Sequence, residues 1–297
     1  ERFAGNRAGR EAARGTVGWG GRTPWHGSVG ERQHSASQRS CGAAALAVLL
    51  SVGCGGSSST LPGTLAQVRD APLGADEAGC LIVFLPGAGD EAHDYVEHGF
   101  FSEVRRAGVD ADLVAANVTV PYYRADNAIE RIYEDVLEPA KRAGYERVWV
   151  VGISMGGGGA LRVAATHTDD VAGIVLLAPL IGGPGLFRDV LAVGGPQHFE
   201  PDDELRRTGG PFVDAWHWAG HRERADGSVT PLYLAYGFED PLATLALALP
   251  ESHVIRGGGG HRWVVWQELW RGLVEGGFLQ RSCGVLDPAA DETETKQ

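Results

Sequence analysis

Two apolar runs constrain this chain most. CLIVFL (Cys80–Leu85) has no polar residue on either alternating face, and RVWVVGI (Arg147–Ile153) has none after its first residue. A strand with one wet face would alternate, so such runs belong to strands covered on both sides, as in a parallel sheet. Each run stops abruptly, the first at Pro86-Gly87 and the second at Ser154. Between and beyond them the chain keeps one rhythm. Residues 91–107 read as a helix, 112–118 as a short strand and 127–143 as an amphipathic helix, and a helix of small residues runs on from Ser154 to about Thr166. Strand-like runs return at 172–180, 231–237 and 253–257. Strand–helix alternation with short connections predicts a mostly parallel sheet flanked by helices, with right-handed crossovers.

Residues 182–230 interrupt the rhythm, mixing Gly, Pro and charge with Phe187, Phe199, Phe212, Trp216 and Trp218. This reads as a cap or lid insertion whose aromatic side chains line an apolar acyl pocket. His217 and His221 lie four apart there, a metal-ligand spacing if helical, with Asp214 nearby. No third His or Cys stands at a matching distance, so the pair reads as cap surface and no metal is expected. Trp263, Trp266 and Trp270 recur at helical spacing and read as a buried stripe. The glycine clusters lack the lysine of a phosphate loop and the acidic partner of a dinucleotide fold, so no cofactor is expected.

The formal net charge is −12, and residues 1–53 carry seven Arg against three Glu, so the rest is more acidic still. Such a body repels nucleic acid and anionic lipid head groups, which directs attention to a small-molecule substrate. Residues 1 to about 28, rich in Gly and Arg and without apolar periodicity, are expected not to fold. Arg32 and Arg39 then precede CGAAALAVLLSVGC, an apolar stretch of secretory-signal length, too short to span a bilayer. With the GGSSST that follows, it resembles a bacterial lipoprotein signal, although Ser51 stands where leucine is usual. The resemblance implies a leader over 1–53, lipidation at Cys54, a linker with a reduced sheet edge over 54–78, and attachment to a membrane surface at the periplasmic face or cell exterior. With Cys41 removed and Cys54 acylated, Cys80 and Cys283 remain as a pair of either buried thiols or disulfide partners across about 200 residues.

In VWVVGISMGGGGALRVAA the serine falls between strand and helix. Among 44 Gly a glycine-x-serine-x-glycine match is weak by itself. Its placement is more telling, because a sharp strand-to-helix turn projects the hydroxyl above the sheet beside a helix N-terminus. A serine needs a base to take its proton, and the base needs a partner to hold its tautomer. Downstream, GFED ends one strand with Asp240, and GGHRWVVW follows another with His261. Glu239 competes with Asp240, but the Gly-x-x-Asp spacing favours the latter.

From about Gly79 to Leu279 these motifs resemble an α/β-hydrolase. GISMGGGGALRVAATH and GGHRWVVW are similar to the elbow and histidine loop of esterase D-like and feruloyl-esterase-like carboxylesterases. The resemblance implies a hydrolase domain over 79–281 with a disordered tail over 282–297. It also implies Ser154 as nucleophile, His261 as base and then acid, and Asp240 as orienting carboxylate. Oxyanion donors would be the N–H of Met155 and, by alignment of LPGAGD, that of Ala88, with Pro86 in place of the usual histidine. The expected activity is cleavage of carboxylic esters through an acyl-enzyme. A peptidase, thioesterase or acyltransferase shares the same expectation, and a silent lipid-anchored binding module is the rival from another class.

Overall fold

The computed structural model describes residues 63–71, 79–243 and 254–286. Cys54, the leader and residues 287–297 lie outside the described residues. The described residues fall within one compact unit, Ser58–Gln297. Among the described residues, seven strands form a single sheet: β1 (Gln67–Asp70), β2 (Cys80–Leu85), β3 (Asp112–Ala116), β4 (Arg147–Ile153), β5 (Gly173–Leu177), β6 (Leu232–Gly237) and β7 (Val254–Gly257). Their spatial order is β1-β3-β2-β4-β5-β6-β7. All neighbours are parallel except β1, which runs antiparallel to β3 with Gln67 opposite Ala116. Within the stretch read as a linker with a reduced sheet edge, β1 forms a short edge strand.

Alternation in β2 shows why both faces must be apolar. Leu81, Val83 and Leu85 enter one core, whereas Cys80, Ile82 and Phe84 enter the other. On the second side, α1 (Asp94–Glu97), α2 (Phe100–Arg106), α10 (Trp263–Glu275) and α11 (Phe278–Cys283) pack through Tyr95, Phe100, Trp270 and Leu279. The first side is covered by α3 (Val120–Arg124), α4 (Ala128–Ile132), α5 (Glu138–Arg142), α6 (Met155–Thr166) and the insertion.

The helices differ from the sequence reading in informative ways. Residues 91–107 form two short helices because Gly99, at φ 73°, turns the chain between α1 and α2. The helix read over 127–143 passes through a π-helical turn, Tyr133–Leu137, between α4 and α5. Pro139 has no N–H to offer the Asp135 carbonyl four residues back. Gln67 Nε2 donates to that carbonyl at 2.9 Å, so the sheet edge satisfies the group the proline leaves over. At the C-terminus, α11 runs two residues into the segment read as tail, and Val285 bridges to Val109.

Much of the insertion is seated on the sheet. It folds as α7 (Pro184–Ala192), a 3₁₀ turn Pro196–His198, α8 (Asp203–Thr208) and α9 (Val213–His221). Phe199, Trp216 and Trp218 are buried in the sheet's own core. Trp216 Nε1 donates to the Ile181 carbonyl at 2.9 Å, and Trp218 Nε1 to Thr168 Oγ1 at 2.9 Å. A buried indole usually finds a partner for its N–H, and both partners here belong to the scaffold.

Cys80 and Cys283 are joined by a disulfide with Cα atoms 5.3 Å apart. Cys80 opens β2, so the bridge ties α11 to the end of that strand remote from the Leu85 turn.

Candidate active site

In this parallel sheet the loops after β2, β4, β6 and β7 all emerge at the strands' carboxyl ends, where open α/β sheets bind ligands. Those four loops carry Ala88, Ser154, Asp240 and His261. Registers Leu85↔Gly152 and Gly237↔Gly257 bring the strand ends level.

Ser154 sits at φ 52°, ψ −113°, a conformation costing a non-glycine residue about 1–3 kcal/mol. The fold holds it there from several sides. Ser154 N–H donates to the Leu177 carbonyl at 2.9 Å, while its own carbonyl accepts from Gly158 N–H at 3.1 Å and Leu180 N–H at 2.8 Å. The flanking glycines are required by space. A Cβ on Gly152 would lie 2.1 Å from the Gly156 carbonyl oxygen, and one on Gly156 would lie 2.0 Å from the Leu85 carbonyl oxygen. The rest of the glycine run lets α6 seat closely, since a Cβ on Gly158 would lie 2.1 Å from the Leu180 carbonyl oxygen. Met155 is the first residue of α6, where backbone N–H groups have no partner within the helix.

His261 Nδ1–H donates to Asp240 Oδ2 at 2.8 Å. The Asp240 side chain is fully buried, and its other oxygen accepts from Leu242 N–H at 2.8 Å. With both oxygens engaged, the carboxylate holds the imidazole in the tautomer that leaves the Nε2 lone pair free. Trp266 supports the ring edge-on at 4.8 Å. Glu239, the competing acid, is exposed.

Ser154, His261 and Ala88 line one cleft of about 320 Å³ with Asp90, Arg262, Trp263 and Trp266. Every one of these residues comes from the loops after β2, β4 and β7 or from the start of α10, and none from the insertion. Trp263 joins the cleft as well as the core. The turn carrying Ala88 is braced from behind, because Tyr95 Oη–H donates to the Leu85 carbonyl at 2.6 Å and Ala92 N–H to Asn117 Oδ1 at 3.0 Å.

Sequence reasoning missed Asp90. It lies at the end of LPGAGD and accepts a hydrogen bond from Trp263 Nε1 at 3.1 Å, across 173 residues. Its position after the turn was legible, but its partner was not. A Cβ on Gly87 would lie 2.5 Å from Asp90 Oδ2, so that glycine makes room for the carboxylate. Burial raises the Asp90 carboxyl above the ordinary aspartate range, with the Trp263 bond opposing. An acid whose pKa is raised on folding is held protonated more tightly by the folded chain. Stability therefore falls as pH climbs from the unfolded value through the raised one, and the cost is complete above it. Asp90→Asn keeps an oxygen for Trp263. It is expected to raise the melting temperature at pH 7, with the gain fading as pH falls to about 4. Equal effects at both pH values in thermal melts would contradict this.

The sequence pattern of the α/β-hydrolase fold matches residues 81–248. No curated protein matches the chain. Among solved structures, Est1E from Butyrivibrio proteoclasticus is similar at TM-score 0.51 and 17% identity, over 73% of this chain and 94% of that one. Est1E with ferulic acid bound is similar at TM-score 0.50 and 14% identity, over 71% and 94%. The S-formylglutathione hydrolase FrmB from Staphylococcus aureus aligns at TM-score 0.46 and 18% identity, over 66% of this chain and 79% of that one. At such identities the Est1E likeness shows a shared fold. Together with a family pattern spanning more than half of the sequence, it shows that the chain belongs to the α/β-hydrolase fold family.

Proposed function

We propose that the protein is a serine hydrolase cleaving small carboxylic esters through an acyl-enzyme. The observation that carries this reading is the Asp240–His261 hydrogen bond beside a serine that lines the same cleft as the imidazole. Ser154 Oγ attacks the acyl carbonyl and passes its proton to His261 Nε2. The oxyanion is held by the N–H groups of Met155 and Ala88, one at the start of a helix and one in the braced turn. His261 returns the proton to the departing alcohol, and water then releases the acid by the reverse sequence. Asp240 holds the tautomer and stabilises the imidazolium. A cleft of about 320 Å³ is at the small end for ligand sites, which supports a compact ester. That Est1E binds ferulic acid, an aromatic carboxylic acid, is in keeping with this class.

The direct test is hydrolysis of an activated short-chain ester by wild type and by Ser154→Ala. A loss in kcat of about 10⁶-fold is expected, with circular dichroism unchanged. Turnover retained in the variant would overturn the assignment of Ser154.

Export and acylation at Cys54 belong to the same proposal, placing the enzyme on a membrane surface. The Cys80–Cys283 disulfide supports an oxidising compartment. A clickable fatty acid fed to expressing cells should label the chain and not its Cys54→Ala variant. Equal labelling of both would contradict acylation there.

A further inference from the structure

We propose that Glu200, His217 and His221 form a binding site for one zinc-like divalent cation, separate from the Ser154 cleft, clipping the turn after α7 to helix α9. The two histidines stand one helical turn apart on α9, on a face not taken by buried Trp216, Ala215 and Ala219. The third ligand arrives from outside the helix. The 3₁₀ turn Pro196–His198 lies against α9 at Gly220, where a Cβ would be 2.2 Å from the Pro196 carbonyl oxygen. Phe199 is anchored in the core, and Glu200 follows it over the histidine pair. Asp214, the acid the sequence suggested, is instead paired with Arg206.

The distances suit a metal. Glu200 Oε2 is 3.1 Å from His217 Nε2, Glu200 Oε1 is 3.4 Å from His221 Nε2, and all three ligand atoms lie within 4.8 Å of one another. Donors held at about 2.0–2.1 Å by a tetrahedral zinc sit about 3.3 Å apart. The tautomer is also arranged for it. His221 Nδ1–H donates to the His217 carbonyl at 2.8 Å, which leaves Nε2 as the nitrogen facing Glu200. Backbone anchoring of the far ring nitrogen is the usual outer support of a metal-bound histidine. Two imidazoles and one carboxylate favour zinc and its late first-row neighbours over magnesium or calcium, which prefer all-oxygen sets. The fourth position is left to water, and the chain's net charge of −12 favours cations generally.

The test uses the whole chain, stripped with a chelator and titrated with zinc chloride against a chromophoric competitor. One zinc per chain at micromolar or tighter affinity is expected, with a rise in melting temperature that magnesium chloride does not reproduce. Glu200→Gln and His221→Ala should each weaken binding by at least about tenfold. Their metal-free melting temperatures should stay at the wild-type value, which separates lost ligation from lost folding. His261→Ala should keep the zinc. Absence of zinc binding, binding unaffected by either ligand change, or binding lost in His261→Ala would each overturn the proposal, leaving the three side chains as an ordinary surface ion pair.

Discussion

Asparagine in place of Asp240 is expected to lower kcat/KM for an activated ester by about 10⁴-fold without unfolding the protein. Among the described residues the buried carboxylate accepts from two donors, His261 Nδ1–H and Leu242 N–H. An asparagine can keep its oxygen on Leu242, but its amide then presents N–H to the imidazole. His261 must answer with a lone pair on Nδ1, which moves the ring proton to Nε2, the nitrogen that has to receive the serine proton. Chemistry is lost through the tautomer while packing barely changes, so kcat should fall far more than KM rises. Glu239→Gln should leave the rate near wild type, because the Glu239 side chain is exposed and its backbone N–H is what donates to the Gly259 carbonyl in the histidine loop. A comparable fall in both variants, or less than about tenfold in Asp240→Asn, would contradict the role given to Asp240.

The second large effect is on stability. Gly152→Ala puts a methyl carbon 2.1 Å from the Gly156 carbonyl oxygen, and the clash is with backbone on both sides, where no rotamer change relieves it. Overpacking commonly costs about 1–3 kcal/mol, and a backbone-on-backbone overlap belongs at or beyond the upper end. At about 2–4 °C per kcal/mol for a domain of this size, the melting temperature should drop by about 6–12 °C or more. Gly185→Ala is the matched comparison. It lies within α7 with nothing within 4 Å of the added carbon, so it should be neutral or stabilise by up to about 1 kcal/mol. Melting curves in which the two variants behave alike would mean that the close approach of β4 and α6 is not what makes Gly152 necessary.

The contrast between these glycines bears on what the sequence could disclose. The strands β2, β4, β5 and β6 were legible because burial on both faces demands unbroken apolar runs, and that demand is local. The elbow was legible for a similar reason, since a glycine two positions either side of a serine is a local mark of crowding. Edge strand β1 was hard to see because Gln67–Asp70 is only partly buried, so nothing enforces a hydrophobic pattern there. The break at Gly99 and the π turn before Pro139 depend on single residues inside segments whose periodicity otherwise continues. The insertion's aromatic residues were misread as pocket lining because Phe199, Trp216 and Trp218 do not announce which cavity they fill; the carbonyl of Ile181 and the hydroxyl of Thr168 decide that for the two tryptophans. Glu200 joins His217 and His221 only through a turn that no spacing rule encodes, just as Trp263 finds Asp90 across 173 residues. What was readable was set by near neighbours in the chain, and what was not was set by contacts formed on folding.

The account rests on Ser154 being a nucleophile with a working base beside it. A fluorophosphonate probe, followed by proteolysis and mass mapping of the adduct, tests that most directly. The expected result is one adduct per chain, on the peptide containing Ser154, formed rapidly by wild type and far more slowly by Asp240→Asn. Labelling spread over other serines, or absent from a folded wild-type protein, would contradict it.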